Sequence, residues 1–383
     1  MPDPTLASRR SHTHTSRSPV RPLVKRMTDE DPLAAIAEET PAFRDDEAIT
    51  LARDHYGLNV RVRSLVSERD QNFHLQVDDG REYVLKIANA SELRQVTDFQ
   101  IEALIHVANY VQEHGTPIEA PAVLRTLDGA SQVIVSGLHG EHVARVVSYV
   151  AGVPIEDRIP SAKLCRSMGA YLANLGNALR DFNHPGSEQS LLWDLQQALR
   201  LRDLLEFIPT DSVKRNVVAA LNDFEKFALP EFPLLRRQVI HSDFNPDNIL
   251  TDVADPDTVA GVIDFGDMLM APLVADVAIG ASYARPKDGD PLALIAEFIV
   301  GYHRVTPLVQ REIDILFELI KARLCASIAI LYWRASFRDP DDPYLEKLLN
   351  SESFAEHYLA QLAGIPRQNA IQIFRQVCVS ADS

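Results

Sequence analysis

Cysteine is scarce in this sequence and what there is lies apart: Cys165, Cys325 and Cys378 are the three in a chain of 383 residues. An odd number at such spacings excludes a disulfide framework and a structural zinc site, and predicts a reducing, cytoplasmic setting. Basic residues are also short, 38 Lys and Arg against 54 Asp and Glu, for a formal net charge of −16. Phosphate backbones are bound by clustered Lys and Arg, so nucleic acid is excluded as a general partner, while an acidic body favours a cationic substrate or simply maintains solubility. No hydrophobic run reaches the length of a membrane span, and the first residues lack the apolar core of a secretory signal, so no membrane partner is expected. What is abundant is apolar material, 46% of the residues, enough for two units of ordinary domain size.

Residues 1–32 are rich in Ser, Thr, Arg, His and Pro with no apolar period, which predicts a disordered tail. The first 28 residues carry six Lys or Arg against one Asp, leaving −21 on the rest of the chain. The Arg and Ser content has the flavour of a transit peptide, but prolines and a His-Thr-His-Thr run break any amphipathic helix; a start at Met27 explains the tail as well.

The chemistry concentrates between Val239 and Asp267. Two β-branched runs, 238–240 and 259–263, each lead into carboxylates and an amide, with a turn-forming acidic stretch at 252–257 between them. Phosphoryl transfer to a hydroxyl needs such groups at strand ends: one carboxylate to take the proton and hard oxygens to hold Mg²⁺ against phosphates. His241-x-Asp243-x-x-x-x-Asn248 has the spacing of a kinase catalytic loop, and Asp264-Phe265-Gly266 has the form of the kinase metal-binding triplet.

In this wording the chain resembles the aminoglycoside phosphotransferase and choline kinase superfamily. Ser-Asp-Phe-Asn-Pro-Asp-Asn-Ile-Leu, followed by Val-Ile-Asp-Phe-Gly-Asp-Met and Asp276-Val-Ala-Ile, is most similar to hydroxylysine kinase and its bacterial relatives. The resemblance implies an α+β, bilobal, protein-kinase-like fold: an antiparallel sheet with one helix over 44–147, a hinge at 148–152, and a mostly helical lobe over 153–383 holding the catalytic loop and acceptor site. It also implies that Asp243 is the general base, that Asn248 and Asp264 bind Mg²⁺, and that His241 orients the loop. GTP and ATP stand equal as phosphate donors. Ala271-Pro272 follows Asp264 by only seven residues, too few for a protein-kinase activation segment, so the acceptor is expected to be a small molecule.

Upstream, a helix from Asp45 stops at Gly57, and strands are expected at 60–65, 72–77 and 82–87. Lys86 holds the place of the kinase lysine that orients the α- and β-phosphates. The loop before the second strand has no glycine, so Ser67, Gln71 and Asn72 are the candidate phosphate ligands. In the helix predicted over 91–113, Glu102 is the acid best placed to pair with Lys86, with Glu92 and Asp98 as competitors. Strands at 120–124, 131–135 and 143–149 precede the hinge, where Ser148, Tyr149 and Val150 are expected to meet the nucleotide base through their backbone. Helices are then predicted over 161–182, 191–207, 211–227, 291–304, 307–337, 351–364 and 366–379. Asp267 is a candidate for a substrate ammonium, or for holding its own loop.

The expected activity is transfer of a γ-phosphate to a hydroxyl of a small, amine-bearing metabolite. Choline, ethanolamine, homoserine and aminoglycoside kinases are alternatives on the same scaffold. A non-catalytic nucleotide-binding module is the alternative of another class, with the glycine-free loop in its favour.

Overall fold

A computed structural model describes residues 40–67, 69–138, 140–156, 158–337 and 354–382. The tail expected at 1–32 and the start of the helix expected at 351 lie outside them.

The N-terminal part is built on alternation. After helix α1 (Asp45–Tyr56) come β1 (Val60–Leu65), β2 (Gln71–Val77) and β3 (Glu82–Ile87), then α2 (Arg94–His114), β4 (Val133–Gly137) and β5 (Gly140–Ser148). These strands form one antiparallel sheet of order β1-β2-β3-β5-β4. A period of two sends Phe73, Leu75, Leu85, Ile87, Ala144 and Val146 to one face, where α1 covers them with Ala48, Ala52 and Tyr56. The other face carries Asn72, Lys86 and Arg145, which stand in cross-strand register. The polar positions of three strands are thereby stacked on the face away from α1.

The C-terminal part is mostly helical: α3 (Ala162–Leu179), α4 (Asp211–Asp223), α5 (Leu273–Ala281), α6 (Ala293–Val305), α7 (Gln310–Ala335), α8 (residues 354–363) and α9 (Arg367–Ala381). Short strands lie before α3 and between α4 and α5. β6 (Val153–Pro154) pairs with β8 (Ile249–Thr251), which pairs with β9 (Val259–Val262), and β7 (Arg237–Ile240) pairs with β10 (Leu269–Pro272). Helices α3 and α6 meet through two glycines. A Cβ on Gly169 would fall 2.0 Å from the Phe298 carbonyl oxygen, and one on Gly301 2.0 Å from that of Arg166. α7 is buried along most of its length and carries four buried charges, Glu312, Glu318, Lys321 and Arg323. No helix among the described residues is long and apolar enough to cross a membrane.

The α+β class and the two contrasting parts are as expected; several elements are not. Residues 120–124 form no strand beyond a bridge from Val123 to Val147. Pro121 interrupts the donor series, and the segment follows β5 through irregular bonds, Leu124 N–H to Val146 O and Ser148 N–H to Ala122 O. The helix expected at 191–207 is a 3₁₀ run over Leu195–Phe207. Helix α5 is apolar apart from Asp276 and buried throughout, so it offered no periodicity to read.

Candidate active site

The catalytic loop leaves β7 and turns on one carboxylate. Asp276, at the buried start of α5, accepts from His241 N–H at 3.1 Å and Ser242 N–H at 2.9 Å. Between them Ser242 adopts φ +65°, a left-handed conformation that a non-glycine residue holds only when its surroundings fix it. His241 is fully buried, and burial pulls its pKa below the ordinary value. Its Nε2 lies 3.2 Å from the Ile263 carbonyl and its Nδ1 accepts from Asp243 N–H at 3.3 Å, which assigns the proton to Nε2. Both ring nitrogens are used in shaping the loop.

Asp243 is the best-prepared carboxylate of the loop. Asn248 Nδ2 donates to its carbonyl at 3.0 Å and to Oδ2 at 2.8 Å, and Arg323 Nη2 approaches Oδ1 at 3.4 Å. Burial lifts its pKa above the usual carboxylate range, against the pull of Arg323 and of the asparagine bonds. A raised pKa makes a stronger proton acceptor. Asn245 closes the turn by accepting from Asp247 and Asn248 N–H at 2.9 and 3.1 Å.

Asp264 follows β9 with φ +60°, a second left-handed residue. Lys86 Nζ lies 3.5 Å from its Oδ1, and this lysine, outweighing burial, holds the carboxyl down at about 2. The N-terminal sheet and the catalytic segment thus meet at an ionised Asp264. Neither Asp264 Oδ2 nor Asn248 Oδ1 accepts a hydrogen bond from the described residues. Two uncommitted hard oxygens are the donor type that Mg²⁺ takes. No group of three or more His, Cys, Asp or Glu among the described residues could hold a metal. That also suits Mg²⁺, which uses one or two carboxylates plus phosphate and water.

Several expected residues are engaged elsewhere. Glu102 is not within ion-pair distance of Lys86; it is exposed and lies 3.7 Å from His184. Two positions along a helix is more than half a turn, and the residue facing the site is Gln100, whose Nε2 donates to Gly266 O at 3.2 Å and whose Oε1 accepts from Arg145 at 2.5 Å. Of the two competitors, Asp98 accepts from Gln132, while Glu92 is half-buried, accepts from Gln100 and Thr97, and has its pKa pushed up by desolvation. The Gln71 amide is consumed by Phe43, donating to its carbonyl at 2.8 Å and accepting from its N–H at 2.7 Å, so the side chain clips the segment before α1 and is not available to phosphate. Asn72 keeps a buried Oδ1 with no partner beside Lys86, and Ser67 lies half-buried at the loop's start.

At the expected hinge, Ser148 and Tyr149 N–H already bond Ala122 and Glu82 carbonyls at 2.8 and 3.1 Å. Val150 N–H has no such bond among the described residues, so of the three it is the uncommitted donor. Asp267 is held by Arg69, from the loop before β2, in an ion pair across the cleft, and burial nevertheless lifts it to about 7. It holds its loop in this state and does not offer a free carboxylate to an ammonium.

Gln100, Arg69 and Arg323 were missed in the sequence. A charged residue inside the apolar run Leu319-Ile320-Lys321-Ala322-Arg323-Leu324 was the available signal for the last, since such residues are rarely buried without a purpose.

Residues 61–309 match the model of the Phosphotransferase enzyme family, well over half of the chain, and the chain belongs to that family. It is a small-molecule kinase with a hydroxyl acceptor. Hydroxylysine kinase of Xenopus laevis is 25% identical over 345 residues, covering 83% of this chain and 90% of that protein. Homoserine kinase of Hyphomonas neptunium is 26% identical over 318 residues, covering 77% and 85%. Among solved structures, amicoumacin kinase in complex with AMP-PNP, Ca²⁺ and its ligand superposes with a TM-score of 0.62 at 14% identity, over 82% of this chain and 94% of that one. At that identity the likeness speaks for the fold.

Proposed function

We propose that this protein transfers the γ-phosphate of GTP or ATP, with Mg²⁺, to a hydroxyl of a small amine-bearing metabolite of the hydroxylysine type. The observation that carries this reading is the convergence of a half-buried Asp243, its pKa raised, with Asn248 and with an Asp264 kept ionised by Lys86. Asp243 accepts the acceptor's hydroxyl proton at Oδ1, while Asn248 fixes Oδ2 and the loop carbonyl. Asn248 Oδ1 and Asp264 hold Mg²⁺, which neutralises phosphate charge when bound. Lys86 shifts from Asp264 alone to the phosphates between them, and Asn72 Oδ1, unpartnered at its side, is an acceptor for the lysine ammonium that helps to aim it. Val150 N–H meets the base at 149–152, where the chain passes between the sheet of β5 and that of β6.

The hydroxylysine kinases of vertebrates and the homoserine kinase among the relatives support an amino-acid acceptor over choline, ethanolamine or an aminoglycoside. A thermal-shift comparison of ATP and GTP with and without Mg²⁺ tests the donor side. An acceptor panel of 5-hydroxylysine, homoserine, choline, ethanolamine and kanamycin, read as nucleoside diphosphate release, tests the acceptor. A Mg²⁺-dependent shift with release on 5-hydroxylysine is expected; absence of any shift with either nucleotide overturns the reading.

A further inference from the structure

Arg323 enters the site from α7, whereas Lys86 comes from β3 and Arg69 from the loop before β2. It is 7% exposed, and its guanidinium makes two contacts, both through Nη2: Tyr283 OH at 3.1 Å and Asp243 Oδ1 at 3.4 Å. Nε is buried with no partner. A buried guanidinium with unmet donors is costly, and the cost is removed by an anion that fills the vacant N–H groups. The anions this site can receive during turnover are the nucleotide phosphates and any carboxylate that the acceptor carries. The phosphates have their own cations: Lys86 sits on Asp264, and Arg69 on Asp267, both from the N-terminal sheet side. Arg323 makes an ion pair with neither of these carboxylates among the described residues, and the one carboxylate within its reach is that of the proton acceptor. It stands where the acceptor must lie to place a hydroxyl on Asp243.

We propose that Arg323, buttressed by Tyr283, is the specificity-determining residue for the acceptor, binding a carboxylate on the molecule that Asp243 deprotonates. The substrate class is then hydroxylated amino acids, as against amino alcohols of the same length. This inference rests on the proposed kinase function and assigns the residue that reads the acceptor's acid group. Guanidinium and carboxylate match in planar, two-point geometry, which a lysine ammonium does not reproduce. The pairing also discriminates, because an acceptor lacking the carboxylate leaves the guanidinium buried and unmet.

The test uses two matched acceptor pairs with the full-length protein: homoserine against 3-aminopropan-1-ol, and 5-hydroxylysine against 2-hydroxy-1,5-diaminopentane. Steady-state kcat/KM is measured for the unaltered protein, Arg323→Met and Arg323→Lys. Any loss common to both members of a pair reports the Arg323–Asp243 contact. The expected result is a further loss, about tenfold to a hundredfold, confined to the carboxylate-bearing member in Arg323→Met, with a smaller selective loss in Arg323→Lys. If Arg323→Met does not fold, the selective loss is read in Arg323→Lys. Equal losses on both members overturn the inference and leave the kinase reading intact. Failure of the unaltered protein to phosphorylate any of the four molecules overturns the amino-acid acceptor and the inference together.

Discussion

Asp276→Ala should unmake the catalytic loop from below. The Asp276 carboxylate is the acceptor for two buried backbone donors, His241 N–H at 3.1 Å and Ser242 N–H at 2.9 Å, and Ser242 is held between them at φ +65°. Each buried donor left without an acceptor costs about 1–3 kcal/mol, and more when the lost bond is charge-assisted, which sets a gross loss of roughly 2–6 kcal/mol. Against this, burial lifts the Asp276 carboxyl above its usual range, so its removal also relieves desolvation. We therefore expect the lower half, about 2–4 kcal/mol, or a fall in Tm of about 2–5 °C for a chain of this size. Asp276→Asn keeps one acceptor and turns an NH₂ toward the other N–H, so its loss should be of the same sign. In the folded fraction kcat should fall more than tenfold, because Asp243 follows Ser242 directly in the chain. The measurements are differential scanning fluorimetry and nucleoside diphosphate release below the transition. A Tm change under about 1 °C with unaltered kcat would refute the claim that Asp276 builds the loop.

Glu102→Ala should leave nucleotide affinity and kcat within about twofold, since an exposed carboxylate near His184 contributes little, whereas Gln100→Leu should lower both by breaking the bonds to Gly266 and Arg145; titration calorimetry and turnover separate them. Asp264→Ala should remove the Mg²⁺ dependence of the nucleotide-induced thermal shift, and a retained dependence would place the metal elsewhere. Gly301→Ala should cost about 3 kcal/mol or more in urea unfolding, because its Cβ meets backbone, the Arg166 carbonyl oxygen, which cannot yield without parting α3 from α6.

The residues legible in the sequence were those whose spacing is imposed by a local turn. His241, Asp243 and Asn248 sit on one tight loop closed by Asn245, and Asp264 caps a turn at Gly266, so chain separation alone encodes their meeting. The strands β2 and β3 were equally plain, because alternation needs no knowledge of partners. What could not be read was which helix face would turn inward. Gln100 and Glu102 are separated by two residues, and only the seating of α2 on the sheet decides that the amide, not the acid, reaches Gly266. Arg69 and Arg323 lie 198 and 80 residues from the carboxylates they touch, distances across which no local pattern acts. α5 was hidden for another reason, being buried throughout and apolar apart from Asp276.

The central claim, that Asp243 is the base of a small-molecule kinase, is tested most directly by Asp243→Asn. The amide preserves volume and one bond to Asn248 while removing the proton acceptor. The mutant should keep its Tm within a few degrees and its Mg²⁺-dependent nucleotide shift, and should lose about 10²–10⁴-fold in phosphate transfer to 5-hydroxylysine or homoserine. Turnover within a few-fold of the unaltered protein would contradict the account.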